Sequence, residues 1–228
     1  MSIGLKIAQG IIGSLLGGGN MRTYMASCVA RNQLRQKTIA ALMASGWPEE
    51  PVVCLEDRWW EMPLERHMAL VRTILEIAAL ADGEDDLIVL LEDDILFNRH
   101  FPHNVACWQP IRTHQPGHHF FASLFNPGVV FVTMDVSRAC AAAKPETVYG
   151  AQALILSKET ARFFVTCWGV CPATHADIKL ARLAAMVCPI LFHVPSLVQH
   201  VGIESLWGGP FLSATDFDDQ WLAPASTL

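Results

Sequence analysis

Basic residues are scarce. Lysine and arginine number 16 against 22 aspartates and glutamates, for a net charge of -6. The chain lacks the positive surplus that a phosphate backbone demands, which argues against nucleic acid as a partner. Charged residues of both signs reach only 17%, against 52% hydrophobic. That balance excludes a largely disordered chain and points to a well-buried sheet with some surface left to meet a partner or a membrane. No internal repeat, low-complexity tract or linker-like stretch breaks the sequence, and 228 residues suffice for one sizeable core, so a single domain is expected. Patterned cysteines are missing as well. The seven are odd in number and irregularly spaced, which excludes a disulfide framework and fits a reducing cytoplasm. Cys167 and Cys171 form the one close pair, and no second pair completes a zinc site. Nor is there a membrane-spanning run. The apolar stretch at residues 7–16 is too short to cross a bilayer and lacks a small-residue cleavage site. Residues 1–20 are therefore set apart from the domain at 21–228. They are read either as a leader before a start at Met21 or as a short anchor making peripheral membrane contact.

What is present alternates. Residues 23–29 read as a strand. Asn32 is placed to cap a helix through Leu34, Ile39 and Leu42 that stops at Gly46. Residues 52–55 read as a second strand. Leu64, Met68, Val71, Leu75 and Ala78 recur at helical spacing over 64–81. Residues 87–91 (Leu-Ile-Val-Leu-Leu) are apolar on both faces, as in the middle of a parallel sheet covered by helices. Strand, helix, strand, helix, strand implies an α/β, doubly wound, mostly parallel sheet flanked by helices. Beyond it the pattern predicts a helix over 98–108, strands at 120–125 and 129–134 around an Asn126-Pro127-Gly128 turn, and a strand at 153–156. Ser157 then caps a helix to about 168, a capping box at Thr174-x-x-Asp177 opens another to 186, and a last strand runs over 190–194.

Glu92-Asp93-Asp94 follows the most apolar strand at once. Three adjacent carboxylates repel one another unless a cation or hydrogen bonds offset the charge. The carboxyl ends of parallel strands are where open α/β sheets bind ligands. A hard ion such as Mg²⁺ or Mn²⁺ takes one or two carboxylates plus substrate phosphates, and would neutralise charge on a leaving diphosphate. The competing reading is a solvated acidic loop, which suits Glu84-Asp85-Asp86 because that run precedes the strand.

Leu90-Leu91-Glu92-Asp93-Asp94-Ile95, with Phe97 and Phe101 behind it, resembles the L-E-D-D-[IV] variant of the D-x-D motif in GT-A glycosyltransferases, especially the family 25 and family 2-like groups. Tyr149-Gly150-Ala151-Gln152-Ala153-Leu154-Ile155-Leu156-Ser157 is similar to a stretch near their acceptor side, with Leu154 where an aromatic is common. Pro195-Ser196-Leu197-Val198-Gln199-His200-Val201-Gly202, with Ser205 behind it, resembles their closing segment. The resemblance covers residues 22–210. It implies a Rossmann-like GT-A domain, a nucleoside diphosphate sugar donor (a UDP-sugar first) and Mn²⁺ or Mg²⁺. The acceptor would be a glycan, lipid-linked sugar or protein hydroxyl. Carried over, Asp94 and His200 would ligate the metal, while Glu92 would meet the ribose or support the metal beside Asp93. Arg31, just past the first strand, would grip the diphosphate or uracil, and Asp57, just past the second, the base or ribose. Asp177 would be the base that deprotonates the acceptor in an inverting reaction, unless its role is only the helix cap.

Other residues have plainer readings beside functional ones. Arg72 is read as an exposed helix arginine. His114, His118 and His119 read as a surface loop rather than a zinc site, and His100 and His103 as a helix start. Trp59, Trp60 and Trp207 are either packed or placed to stack on a sugar or base.

Overall fold

The computed structural model describes residues 21–82, 86–201 and 211–224. Ten strands occur among them: β1 (Arg22–Cys28), β2 (Val52–Glu56), β3 (Leu87–Glu92), β4 (Ile95–Phe97), β5 (Phe121–Ser123), β6 (Phe131–Asp135), β7 (Cys140–Ala143), β8 (Ala153–Ser157), β9 (Ile190–His193) and β10 (Val198–His200). The helices are α1 (Asn32–Ala44), α2 (Pro63–Leu80), α3 (Phe101–Cys107), α4 (Gln109–Arg112), α5 (Lys158–Cys167) and α6 (Ala176–Ala184).

Eight strands form one sheet in the order β2-β1-β3-β8-β5-β9-β7-β6, and β4 pairs with β10 in a separate two-stranded ribbon. The expected α/β domain is what the chain forms. The parallel alternation runs through β2-β1-β3 and stops there. β8 enters antiparallel between β3 and β5, and only β5–β9 is parallel beyond it, so the sheet as a whole is mixed. An apolar strand such as β3 requires cover on both faces, and a mixed sheet between helices provides that as well as a parallel one.

Alternation along the strands divides the interior in two. Tyr24, Ala26, Ile88 and Leu90 face a core built with Leu70, Val71, Ile74 and Leu75 of α2, Phe164 of α5 and Leu180 of α6. Met25, Val89 and Leu91 face the opposite core, with Leu42 of α1, Phe101 and Val105 of α3, and Ile95 and Phe97 of β4. Residues of even number on β1 and β3 thus look towards α2 and α6, and residues of odd number towards α1.

Local chemistry explains several boundaries. Ser157 caps α5, its Oγ accepting from the Thr160 amide at 3.1 Å. Gly46 takes φ +92° after α1, a left-handed conformation that favours glycine. Asn32 is the first residue of α1 rather than its cap, and its Oδ1 accepts from Arg35 one turn on. Thr174 does not build the expected capping box. Its Oγ1 pairs with the ring of His175, the residue at the N-cap of α6, which has no side-chain cap.

Candidate functional site

In the order β2-β1-β3, the chain leaves β1 for one neighbour and returns to it on the other side. The carboxyl ends of β1 and β3 therefore flank a topological switch point, where open α/β sheets form their crevices. β1 delivers Ser27, Cys28 and the 3-10 turn Val29–Arg31 to that place; β3 delivers Glu92, Asp93 and Asp94. A cavity of about 300 Å³ opens here, and Arg31, Glu92, Asp94, Asp177 and His200 all line it.

Strand alternation separates the three acids. Asp93, of odd number, turns towards α1 and is buried. Ser27 Oγ donates to its Oδ2 at 2.5 Å and Arg31 Nη1 to its Oδ1 at 2.9 Å. Arg35 of α1 holds Ser27 in turn at 2.8 Å, and Thr38 Oγ1 donates to the Asp93 carbonyl. Burial pushes the Asp93 carboxyl up against the opposing pull of Ser27 and Arg31. Asp93 does not line the cavity; it anchors the loop that does.

Glu92, of even number, faces α2 and β8. Its Oε2 accepts from Gln152 Nε2 at 3.3 Å, and His67 Nε2 lies 3.9 Å from Oε1. Burial, reinforced by the charge of Asp94, raises its pKa to about 8, which favours the protonated form at neutral pH, and a carboxylic acid carries a donor as well as acceptors. Burial, then the positive Arg31, lowers His67 to about 4, keeping that ring neutral.

Asp94 is 1% exposed. Its Oδ2 accepts from Arg31 Nη1 at 2.6 Å and meets His200 Nε2 at 3.0 Å. Its Oδ1 is buried with no hydrogen-bond partner. His200 arrives from β10, 106 residues away. The β4–β10 register sets His200 opposite Ile95, and the Val201 amide donates to the Asp94 carbonyl. His200 Nδ1 donates to the Leu212 carbonyl at 2.8 Å, which directs Nε2 at Asp94, and Phe211 stacks on the ring at 4.7 Å. Burial lowers the His200 pKa, but the Asp94 hydrogen bond and charge outweigh it and the net direction is up. Asp94 shows the reciprocal pattern: burial raises it, yet His200 and Arg31 hold it below the ordinary carboxylate value.

Asp177 faces the same cavity from the first turn of α6. The Gly150 amide donates to its Oδ2 at 2.6 Å and the Ile178 amide to its Oδ1 at 2.7 Å. Gly150 has φ +86°, and a Cβ there would lie 3.1 Å from Phe125 Cε1. Only a glycine presents this amide without strain.

Of the residues singled out from the sequence, Arg31, Glu92, Asp94, Asp177 and His200 converge, with Asp93 directly beneath. Asp57 does not join them: its side chain is 78% exposed beside Arg58, outside the cavity lining. Arg72 pairs with Glu76 on the exposed face of α2. His114 is held by Asp86 at 2.5 Å, and His103 by Cys107 and the Ala223 carbonyl. Trp59 and Trp60 meet edge to face, with Trp60 exposed, and neither lines the cavity. Residues 1–20, Ser205 and Trp207 lie outside the described residues. The sequence reading missed His67. Its signal was a polar residue between Leu64 and Val71 on the apolar stripe of α2, where only a functional or paired group is tolerated.

No set of three or more histidine, cysteine or acidic residues able to hold a metal occurs among the described residues. Asp94 and His200 are the two groups that could serve as ligands. The partnerless Asp94 Oδ1 and the tautomer fixed by the Leu212 carbonyl are what a ligating pair needs. A hard ion completes its shell with phosphate oxygens and water, so two protein ligands fit such an ion when it is shared with a diphosphate.

No protein-family model and no curated protein matches the chain. Among solved structures, the inositol-1-phosphate CTP transferase from T. maritima matches over 83% of this chain and 76% of its own, at 10% identity and a TM-score of 0.39. A likeness at that level leaves function to be read from the side chains of the cavity.

Proposed function

We propose that the chain is a metal-dependent glycosyltransferase that moves a sugar from a nucleoside diphosphate donor, a UDP-sugar first, to a hydroxyl of a glycan, lipid-linked sugar or protein. The observation that carries this reading is the meeting of Asp94 and His200 at the switch point, 3.0 Å apart, with a second, partnerless carboxylate oxygen beside them. The pair would hold Mn²⁺ or Mg²⁺, which when bound neutralises charge on the departing diphosphate.

The chain's own residues do the rest. Arg31 offers a guanidinium to the phosphates in a cavity whose walls limit water. Glu92, protonated at neutral pH, offers both a donor and an acceptor to a ribose hydroxyl. Asp177 keeps a lone pair on each oxygen despite its two amide donors, so it can take the acceptor's proton. The amides hold it in place during the transfer, which positions base and nucleophile together.

A donor panel tests the proposal. Release of UDP from at least one UDP-sugar should require Mn²⁺ or Mg²⁺ and should vanish in D94N. Consumption of a nucleoside triphosphate with release of pyrophosphate would instead assign a nucleotidyltransferase. Tight UDP binding without turnover on any donor would assign a binding module.

A further inference from the structure

The cation already inside this site is the guanidinium of Arg31. One nitrogen, Nη1, reaches both Asp93 Oδ1 and Asp94 Oδ2, at 2.9 Å and 2.6 Å. The side chain is only 10% exposed, although it projects from a turn whose Val29 and Ala30 are exposed. We propose that Arg31 is a resident counter-cation of the metal site, which a divalent ion displaces from Asp94 and which then engages the donor's diphosphate. The inference rests on the metal-dependent reading above and deepens it by specifying how ion and nucleotide are coupled.

Three observations support it. A divalent ion held between His200 Nε2 and the Asp94 carboxylate would sit beside the guanidinium that lies 2.6 Å from Oδ2, and two like charges so close repel strongly in a buried site. Asp93 keeps a braced partner when Arg31 moves. Ser27 remains on its Oδ2, and Arg35 holds Ser27, so the departing guanidinium leaves only Oδ1 of that carboxylate to be satisfied anew. Arg31 also lines the cavity beside Asp94, and a planar fork of donors suits phosphate oxygens. An ion arriving alone must therefore dislodge a buried cation that has no new anion to meet. An ion arriving with a diphosphate gives that cation a partner. Metal and nucleotide bind with positive coupling, and each raises the other's affinity by the same factor.

The free-ion electron paramagnetic resonance signal of Mn²⁺ gives the binding constant with and without UDP. In the wild-type protein UDP should tighten Mn²⁺ binding by about 5- to 150-fold, the usual span of such couplings. Arg31→Gln should bind Mn²⁺ alone at least about 5-fold more tightly than wild type and lose most of the UDP effect. Arg31→Lys, which keeps the positive charge, should stay weak for Mn²⁺ alone. Arg31→Gln binding Mn²⁺ alone no more tightly than wild type, or Arg31→Lys tightening as Arg31→Gln does, overturns the inference. If Arg31→Gln does not fold, the wild-type protein decides. The Arg31 Nε resonance should move when Mg²⁺ is added without nucleotide, and an unmoved resonance with the ion bound overturns the inference. The underlying reading fails in a different way: Mn²⁺ then binds neither wild type nor Arg31→Gln, with or without UDP.

Discussion

At Asp94 the two carboxylate oxygens meet different surroundings. Oδ2 accepts from Arg31 and meets His200, while Oδ1 is buried with no partner. One residue earlier, both oxygens of Asp93 are satisfied. The neighbours should therefore respond differently to substitution. Asp93→Ala leaves Arg31 short of a buried partner and should cost about 3 kcal/mol in a denaturant titration. Asp94→Asn removes the charge that Arg31 and His200 share, so it too should lose stability, most where His200 is protonated. Unlike Asp93→Ala, it should also lose Mn²⁺ affinity by more than the roughly 10- to 100-fold that removing an outer-shell partner costs. The sign of the pH dependence follows from the His200–Asp94 pair. His200 is raised by its partner, so its contribution is complete below about pH 6.5 and is lost as pH rises through the folded value. Asp94 is lowered, so its contribution is complete above about pH 3.9 and is lost as pH falls through its folded value. The stability lost in His200→Gln should thus be largest between about pH 4 and 6.5 and should shrink towards pH 8. Metal binding runs the other way, since a ligating imidazole must be neutral. Mn²⁺ affinity should rise from pH 6 to pH 8, measured by titration at each pH.

Elements of strong period were legible in the sequence, and elements made by pairing were not. α2 declared itself through Leu64, Met68, Val71 and Leu75, and β3 through an unbroken apolar run. β7 (Cys-Ala-Ala-Ala) carries no strand signal, because alanine favours helix. It is a strand because β9 and β6 hydrogen-bond it from both sides. β4 is three residues long and is fixed by β10, about a hundred residues further on, a contact no local pattern encodes. The acids of the site were visible as a run after β3. That Asp93 would be buried beneath the cavity and Asp94 would line it depended on which face each occupies, and hence on register. Asp57 looked equivalent to Arg31 by position after a strand, yet β2 is an edge strand and its loop stays in solvent. Two substitutions test the supporting elements. Ser157 Oγ caps α5 and accepts from the Phe120 amide, so Ser157→Ala should cost about 1–2 kcal/mol by denaturant unfolding. Gly150→Ala forces a side chain into a left-handed backbone against Phe125 and Gln152. It should cost about 1–3 kcal/mol and, under the proposed function, reduce turnover by displacing the Gly150 amide that donates to Asp177.

Across the whole molecule, the segment 211–224 ties the C-terminal side of the chain over the ribbon of β4 and β10. Asn98 Nδ2 donates to the carbonyls of Asp218 and Trp221. Asn104 contacts Trp221 and Ala223, Ser196 donates to Asp216, and the Leu212 carbonyl orients His200. The site is thus assembled from β1, β3, β10, α6 and this segment, and no contiguous piece contains it. No helix among the described residues is long and apolar enough to cross a membrane. The convergence of five polar groups from four separate stretches of the chain on one cavity at the switch point is the feature that any function must explain. Calorimetric titration of UDP into the wild-type protein, with and without Mn²⁺, and into Asp94→Asn with Mn²⁺ addresses that feature most directly. Metal-dependent binding in the wild type and none in the variant is the predicted result, and UDP binding of equal strength in all three titrations would contradict the account.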